Sequence, residues 1–213
     1  MKDSTKKIIE ELSNRYPDLK NQEENIISAV TILINSYKNG GKLLICGNGG
    51  SAADALHIVG ELMKGFIKER TLSDEEANAY NNLPDKELIC TSLQKGLPAI
   101  ALNSESALFT AYCNDKNPDM VFAQQVFGYG KNEDVLLAIS TSGNSKNIVL
   151  ACEVAVANGI KIIGLTGNKT GKIDEYCETV IKAPFTGAYE VQERHLPIYH
   201  CICLALEEEF FGE

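Results

Sequence analysis

The hydrophobic pattern of the chain alternates between short continuous apolar runs and longer stretches in which apolar residues recur every three or four positions. Runs such as VLLAI and KIIGL are typical of strands buried on both faces of a parallel sheet, whereas the longer spacing is typical of helices that cover such a sheet. The pattern predicts strands at residues 42–46, 98–102, 134–140, 160–166 and 179–183. It predicts helices near residues 3–15, 21–38, 50–66, 104–113, 118–128, 145–158 and 188–211.

Strands that alternate with helices indicate an α/β fold, because parallel strands need crossover connections and helices usually supply them. We therefore predict a three-layer α/β/α fold with a five-stranded parallel sheet, preceded by N-terminal helices. The whole chain, residues 1–213, is expected to form one domain. Residues 1–38 would be a helical arm, and residues 67–97 would be a polar insertion, because this segment is too long for a plain connection.

The composition narrows the classes of partner. The net charge of the 213 residues is −9, and an acidic surface repels nucleic acids and anionic membranes, so neither is an expected partner. The first residues are charged, and no apolar run approaches the roughly 20 residues of a membrane span, so we expect a soluble, cytoplasmic protein. The seven cysteines include no CxxC pair and are expected to be reduced, mostly buried thiols.

Glycines cluster at residues 46–51, between the first predicted strand and the helix that follows it. Glycine lets the backbone approach a ligand, and a helix N-terminus favours an anion, so this loop is predicted to cradle a phosphate or a sugar. The candidate residues are Asn48, Gly49, Gly50 and Ser51. Two alternatives are a purely structural turn and a dinucleotide site, since the spacing of Gly47, Gly49 and Ala52 fits that fingerprint. The fingerprint also needs an acidic residue at the end of the next strand, which arrives only near residue 98.

Hydroxyl side chains cluster at residues 140–145, between the third predicted strand and its helix. One serine or threonine suffices to cap a helix, so four hydroxyls in six residues indicate a ligand. Hydroxyls and main-chain amides can hold a phosphate without lysine, which suits an acidic chain. The alternative is a helix cap with a polar turn. The candidate phosphate ligands are Ser140, Thr141, Ser142 and Ser145. Both loops follow strands of one parallel sheet, so both are expected at its carboxyl edge.

Two of the three histidines lie in patterns that can carry chemistry. His57 and Glu61 are neighbours on the predicted helix at 50–66, opposite an apolar face formed by Ala52, Leu56, Val59, Met63 and Phe66. The alternative is a weak surface pair. On the last predicted helix, His200 lies beside an apolar stripe headed by Gln192, where plain packing is the alternative.

Together, the side chains of His57, Glu61, Gln192 and His200 would supply two nitrogen and two oxygen donors. This set is an acceptable shell for one zinc ion per subunit, although an amide oxygen is an unusual zinc ligand. The polar stripe on the first of these helices faces away from the sheet, so the C-terminal helix of this chain or of another must cover it. We therefore expect a site that is completed between subunits.

Six segments taken together carry a resemblance to a known family. They are residues 46–51, His57-x-x-x-Glu61, Asn114-Asp115, residues 140–145, residues 165–167 and Gln192-Glu193-x-His195-x-x-x-x-His200. From about residue 20 to the C-terminus, the chain resembles the phosphoheptose isomerases, enzymes of the sugar isomerase (SIS) fold. The resemblance implies isomerisation of sedoheptulose 7-phosphate to D-glycero-D-manno-heptose 7-phosphate, by a homotetramer with sites between subunits.

The resemblance also implies roles for individual residues. It makes Glu61 the base that moves a proton between C1 and C2 through an enediol, and His200 the partner acid. It places the phosphate on Ser140, Thr141, Ser142 and Ser145, and the sugar on Asn48, Gly49, Gly50, Asn114, Asp115 and Gln192. In members that bind zinc, the matching ligands are His57, Glu61, Gln192 and His200.

Two departures from the family pattern leave the identity of the sugar phosphate open. The insertion at residues 67–97 is longer than in the best-known members, and Tyr189 stands where those members place an aspartate on the sugar. The main alternative is a non-catalytic SIS module, either a sugar-phosphate sensor or a protein similar to the replication-initiator-associating factor of this fold. Retention of Glu61 and His200 argues against that alternative, because binding alone needs no acid and base.

Overall fold

The structure is a computed structural model that describes residues 1–212. Its strands are β1 (Leu43–Cys46), β2 (Ala99–Ala101), β3 (Val135–Ser140), β4 (Lys161–Thr166) and β5 (Thr179–Lys182). Its helices are α1 (Asp3–Arg15), α2 (Glu23–Lys38), α3 (Gly50–Met63), α4 (Asp74–Asn78), α5 (Lys86–Ser92), α6 (Ser106–Asp115), α7 (Val121–Tyr129), α8 (Lys146–Ala157) and α9 (Ala188–Phe211). The predicted three-layer α/β fold is confirmed, and α9 continues through Pro197 without interruption.

The five strands form one parallel sheet in the order β2-β1-β3-β4-β5. After β1 the chain crosses to the edge strand β2, and it then returns to place β3 on the other side of β1. This reversal is a topological switch point, where the loops after the two neighbouring strands diverge and leave a crevice at the carboxyl edge. The glycine loop follows β1 and the hydroxyl loop follows β3, so the topology brings the two predicted ligand loops side by side.

Each face of the sheet is covered by its own apolar core. Along β1, Leu43 and Ile45 contribute to one core and Leu44 and Cys46 to the other, as the alternation of side chains in a strand requires. The first core packs against α1, α2, α3 and α9, and the second packs against α7 and α8. Helices on both faces explain why the central strands read as continuous apolar runs.

The N-terminal helices belong to the first core. Ile9 and Leu12 on α1 are buried, and α1 packs along α9. The main-chain N–H of Lys2 donates a hydrogen bond to Glu209 Oε2 at 2.7 Å, and the Thr5 hydroxyl donates to the same oxygen at 3.0 Å. Residues 1–38 therefore pack against the domain along much of their length.

The polar insertion contains two short helices, α4 and α5, and neither has a buried residue. A capping box starts α4: the Ser73 hydroxyl accepts from the Glu76 N–H, and the Glu76 carboxylate accepts from the Ser73 N–H. The start of the insertion is buried, unlike α4 and α5: the Arg70 side chain lies inside the protein with 2% of its surface exposed. The insertion is thus anchored at its beginning and lies on the surface beyond it.

The burial of α3 corrects one prediction. The expected apolar face included Leu56 and Met63, but these side chains are 48% and 49% exposed. The buried face instead includes Ala55, Ile58 and Leu62. The helix carries two apolar arcs, and the sheet takes the arc that places Asp54 inside and His57 and Glu61 at the boundary with α9.

Two further expectations concern thiols and membrane spans. All seven cysteines are free, and four of them, Cys46, Cys152, Cys201 and Cys203, are buried. This agrees with the prediction of reduced, mostly buried thiols. Within residues 1–212, none of the helices has both the length and the apolar character that crossing a membrane requires.

Candidate active site

The glycine loop turns tightly between β1 and α3. Gly49 adopts φ +57°, a conformation that strains residues with a Cβ, and α3 starts there without a side-chain cap. A Cβ on Gly47 would lie 2.5 Å from the Ser51 carbonyl oxygen, and a Cβ on Gly50 would overlap the side-chain amide of Gln192. Glycine is therefore needed for close packing here. The N–H groups of Ser51 and Ala52 bond to the carbonyl oxygens of Asn48 and Gly49, so the loop favours an anion or a hydroxyl mainly through the dipole of α3.

The hydroxyl loop leaves the N-terminus of α8 open in the same way. Ser145 occupies the N-cap position, but its hydroxyl makes no capping bond and instead shares a hydrogen bond of 3.2 Å with the Ser140 hydroxyl. Gly143, at φ +65°, packs its backbone against Gly171. The Ser145 side chain therefore does not cap α8, contrary to the alternative interpretation of this loop as a plain helix cap. The first amides of α8 remain available to an anion.

A pair of asparagines joins the two loops. The amide group of Asn48 donates to Asn147 Oδ1 at 2.9 Å, and the amide group of Asn147 donates back to Asn48 Oδ1 at 2.9 Å. The first loop is thereby fixed to the first turn of α8. Sequence analysis assigned Asn48 to the sugar but did not identify Asn147, which no motif singled out.

Glu61 and His57 meet on α3 as predicted. His57 Nε2 lies 3.1 Å from Glu61 Oε1, and His57 Nδ1 lies 3.0 Å from the Tyr199 hydroxyl on α9. With Nε2–H donating to the carboxylate, Nδ1 must accept, and the Tyr199 hydroxyl is the donor that serves it. The second Glu61 oxygen, Oε2, is buried without a hydrogen bond and lies 3.5 Å from Lys64 Nζ.

Tyr199 also connects this pair to a buried carboxyl group. Its hydroxyl lies 3.4 Å from Asp54 Oδ1, and Asp54 Oδ2 has no hydrogen-bond partner among the described residues. Burial raises the pKa of Asp54, and its interactions with Tyr199, His57 and Gln192 offset only part of that increase. Neither Asp54 nor Tyr199 was predicted to belong to the site, although Tyr199 immediately precedes His200.

His200 reaches the same cluster from α9. Its ring lies 5.0 Å from the His57 ring, centroid to centroid, and its Nε2 atom is buried without a partner among residues 1–212. Burial lowers the pKa of His200, the nearby His57 and Arg15 lower it further, and Glu61 opposes them. The imidazole is therefore neutral near pH 7. It lines a cavity of about 140 Å³ between α1 and α9.

The remaining predicted residues lie in different places. Gln192 is two turns before His200, contacts Gly50 and interacts with Asp54, so it lies between the glycine loop and the Asp54 and Tyr199 side of the cluster. Asn114 and Asp115 lie at the exposed end of α6, where the Asn114 amide donates to the Asp115 carboxylate at 2.9 Å. No hydrogen bond within residues 1–212 connects either of them to the loops. Tyr189 is 71% exposed on the first turn of α9.

The expected zinc ligands have the right donor chemistry but are not assembled as a set. Glu61 Oε2 and His200 Nε2 are buried without hydrogen bonds, which suits metal-ligating atoms, although Glu61 Oε2 also lies 3.5 Å from Lys64 Nζ. Both ring nitrogens of His57 are engaged, however, and Gln192 lies at the glycine loop. In the part of the chain that the structure describes, no three His, Cys, Asp or Glu side chains are placed to hold a metal ion.

The predicted cover of the polar stripe comes from this chain itself. α9 of the same chain packs on α3 and supplies Tyr199 and His200. The parallel sheet with its switch point and the two loops that follow neighbouring strands have the architecture of a SIS domain. The SIS domain family model matches residues 9–87 and 89–167, and the chain belongs to that family.

Relatives within this family include phosphoheptose isomerases. The chain is 40% identical over 190 residues to the phosphoheptose isomerase of Clostridium acetobutylicum, with 89% of this chain and 85% of that one covered. It is 39% identical over 196 residues to phosphoheptose isomerase 2 of Campylobacter jejuni, with 90% and 86% covered. The structure of phosphoheptose isomerase from Neisseria gonorrhoeae matches with a TM-score of 0.73 at 30% identity and covers 91% of each chain. The predicted resemblance is confirmed.

Proposed function

We propose that the protein is an aldose–ketose isomerase that converts sedoheptulose 7-phosphate to D-glycero-D-manno-heptose 7-phosphate. The observation that carries this proposal is the meeting of Glu61 and His200, from opposite parts of the chain, around the ring of His57. An isomerase of this class needs one base for a carbon-bound proton and one group that exchanges protons with the oxygens, and this cluster contains both.

The separation of the two parts of the site supports a long substrate. Glu61 lies eleven residues after Gly50, which corresponds to roughly 16 Å along α3. Side chains on a helix lean towards its N-terminus, so the carboxylate reaches back towards the loops by several Å. A seven-carbon chain with a terminal phosphate spans roughly 10 Å, whereas a triose phosphate is about half that length. The distance from the glycine loop to Glu61 therefore supports a sugar phosphate longer than a triose phosphate, such as a heptose phosphate.

In the proposed reaction, the open-chain ketose lies with its phosphate on Ser140, Thr141, Ser142 and Ser145 and its reacting end at Glu61. Glu61 removes the proton from C1 to form an enediol and returns it to C2. Neutral His200 donates a proton to O2 and accepts one from O1, so both residues end in their starting states. The bond from His57 fixes Glu61 Oε1, and the burial of Glu61 keeps water from competing for the proton.

We propose one zinc ion per subunit at His57, Glu61, Gln192 and His200. A bound zinc ion would polarise the oxygens of the substrate as a Lewis acid. Support comes from the buried atoms Glu61 Oε2 and His200 Nε2, neither of which has a hydrogen bond among the described residues. Metal analysis of the purified protein tests this assignment, with the variant His57→Ala as the comparison. A metal content that does not differ between the two proteins would contradict it.

We further propose a cytoplasmic homotetramer with no nucleic-acid partner, in which a neighbouring subunit brings Asn114 and Asp115 to the sugar. Support comes from the exposed position of these two residues at the end of α6, without a bond to the loops of their own chain. Light scattering gives the mass of the assembly. A monomer that is fully active would contradict this arrangement.

The variant Glu61→Gln tests the isomerase, because it keeps the shape of the side chain and removes the base. Turnover of sedoheptulose 7-phosphate should fall by about 10²- to 10⁴-fold, while the substrate should still raise the melting temperature. The matched control is Glu87→Gln, which changes an exposed carboxylate on α5 and should leave turnover unchanged. Near-normal turnover of Glu61→Gln would show that Glu61 is not the base. Substrate binding by the wild-type protein without turnover, with and without metal, would favour the non-catalytic sensor.

A further inference from the structure

The end of α3 lies close to the proposed base. Glu61 is two residues before Met63, the last residue of this helix, and the last carbonyl groups of a helix have no partners within it. The Arg70 guanidinium supplies partners for two of them: Nη1 donates to the Leu62 carbonyl oxygen at 2.7 Å, and Nη2 donates to the Glu61 carbonyl oxygen at 3.2 Å. The Leu62 oxygen also accepts from the Leu97 main-chain N–H at 2.9 Å, whereas Arg70 is the partner that bonds both carbonyls. Arg70 therefore caps the helical turn that carries the base.

A carboxylate on α9 balances the charge of Arg70. Glu207 Oε1 accepts from Arg70 Nε at 3.0 Å and lies 2.9 Å from Arg70 Nη2. The two side chains are among the most buried charged groups of the protein, with 2% and 1% of their surfaces exposed. A buried charge pair persists only where hydrogen bonds satisfy it, and here three guanidinium nitrogens have acceptors.

Glu207 also holds the chain that leaves α3. Its carboxylate accepts from the main-chain N–H groups of Phe66 at 2.7 Å, Ile67 at 3.0 Å and Lys68 at 3.2 Å. On α9, Glu207 follows His200 by seven residues, or two turns, so both side chains lie on one face of the helix. One hydrogen-bonded unit thus connects the turn that carries Glu61 to the helix that carries His200.

We propose that Arg70 and Glu207 are positioning residues that hold the Glu61 carboxylate against His200. This inference rests on the proposed isomerase function and extends it, because it makes the first turn of the insertion part of the catalytic apparatus. The pair touches neither the phosphate loop nor the glycine loop. Its loss should therefore lower kcat and leave KM nearly unchanged, whereas a plain structural strut would affect stability alone.

The double variant Arg70→Met/Glu207→Met separates the two roles. Apolar residues of similar volume often replace a buried ion pair without loss of stability, but they cannot cap the α3 carbonyls. Assayed well below its Tm, this variant should lose about 10- to 100-fold in kcat, since small misplacements of a catalytic group have effects of that size. The variant Arg70→Lys keeps the charge but cannot bond two carbonyls and a carboxylate together, so it should show the same loss in kcat. It serves as the test if the double variant fails to fold.

The control variant is Asp134→Asn. Asp134 is as buried as Glu207 and is paired with Lys42 at 2.6 Å, but it lies at the amino ends of the strands. It should lower Tm and leave kcat unchanged. Folded Arg70→Lys and double variants with kcat within two-fold of wild type, beside an active wild-type enzyme, would overturn the positioning role alone. Absence of turnover in the wild-type protein would overturn the isomerase and the positioning role together.

Discussion

A buried histidine in α9 gives the protein a stability that depends on pH. His195 is fully buried, its Nε2 lies 3.3 Å from the Thr166 carbonyl oxygen at the end of β4, and its Nδ1 has no partner among the described residues. Burial lowers the pKa of His195 to about 4 and outweighs the opposing bond to Thr166. The folded protein therefore keeps this imidazole neutral at a pH where an exposed histidine is protonated.

The sign and size of the effect follow from proton linkage. Between the unfolded pKa of about 6.5 and the folded pKa of about 4, the unfolded chain binds a proton that the folded chain refuses, so the free energy of unfolding falls as pH falls. Well above pH 6.5 the imidazole is neutral in both states, and His195 then causes no loss of stability. We expect His195 to cost about 2 kcal/mol of stability at pH 5 and about 3 kcal/mol at pH 4, relative to pH 8.

Urea denaturation at pH 8, 6 and 5 measures this loss, and the variant His195→Gln identifies its source. The glutamine amide can still donate to Thr166, but it does not titrate. The difference in unfolding free energy between variant and wild type should shift in favour of the variant by about 2 kcal/mol from pH 8 to pH 5. The stability effect of His200, whose pKa is also lowered, is the same in both proteins and cancels in this difference. A difference that stays constant over this range would refute the assignment.

Two other substitutions test contacts within the site. Gly50→Ala should displace the Gln192 amide and raise KM by about ten-fold, or about 1.4 kcal/mol of binding, whereas Gly128→Ala, where a Cβ meets open space, should leave KM unchanged. An unchanged KM in Gly50→Ala would show that Gln192 does not contribute to binding. Tyr199→Phe removes the donor to His57 Nδ1 and should lower kcat by about ten-fold, because a hydrogen bond to a group that orients the base contributes about 1 kcal/mol or more. A normal kcat would show that Tyr199 does not help to orient His57 and Glu61 for catalysis.

The strands and most helices could be predicted because each has a clear period and a clear boundary. The run at residues 135–139 is apolar throughout and lies within β3, and the two glycines after residue 38 mark the end of α2. The loops could be predicted because hydroxyls and glycines stand where a strand ends and a helix begins. Their proximity follows from topology, since parallel strands present their carboxyl ends at one edge.

The face of α3 and several site residues could not be predicted. Two arcs of α3 are apolar, and nothing local decides which arc meets the sheet and which remains exposed. Arg70 and Glu207 read as ordinary surface charges in sequence, because their pairing depends on the docking of α9 beside α3. The pairing of Asn48, a predicted sugar-binding residue, with Asn147 likewise depends on how two distant loops meet. Such pairs join segments that are distant in sequence, so no spacing rule reveals them.

The protein's net charge of −9 bears on how it binds a dianion. Lys146, a cation next to the hydroxyl loop, is paired with Asp119 at 2.7 Å, so in the proposed reaction the phosphate would depend on hydroxyls and helix-start amides. These donors act only at short range, whereas the overall charge repels the substrate at long range. Salt shortens the range of that repulsion from about 30 Å at 0.01 M to about 8 Å at 0.15 M. Raising the ionic strength should therefore increase kcat/KM by a few-fold in steady-state assays. A steep decrease would show that a lysine or arginine, rather than the hydroxyl loop, holds the phosphate.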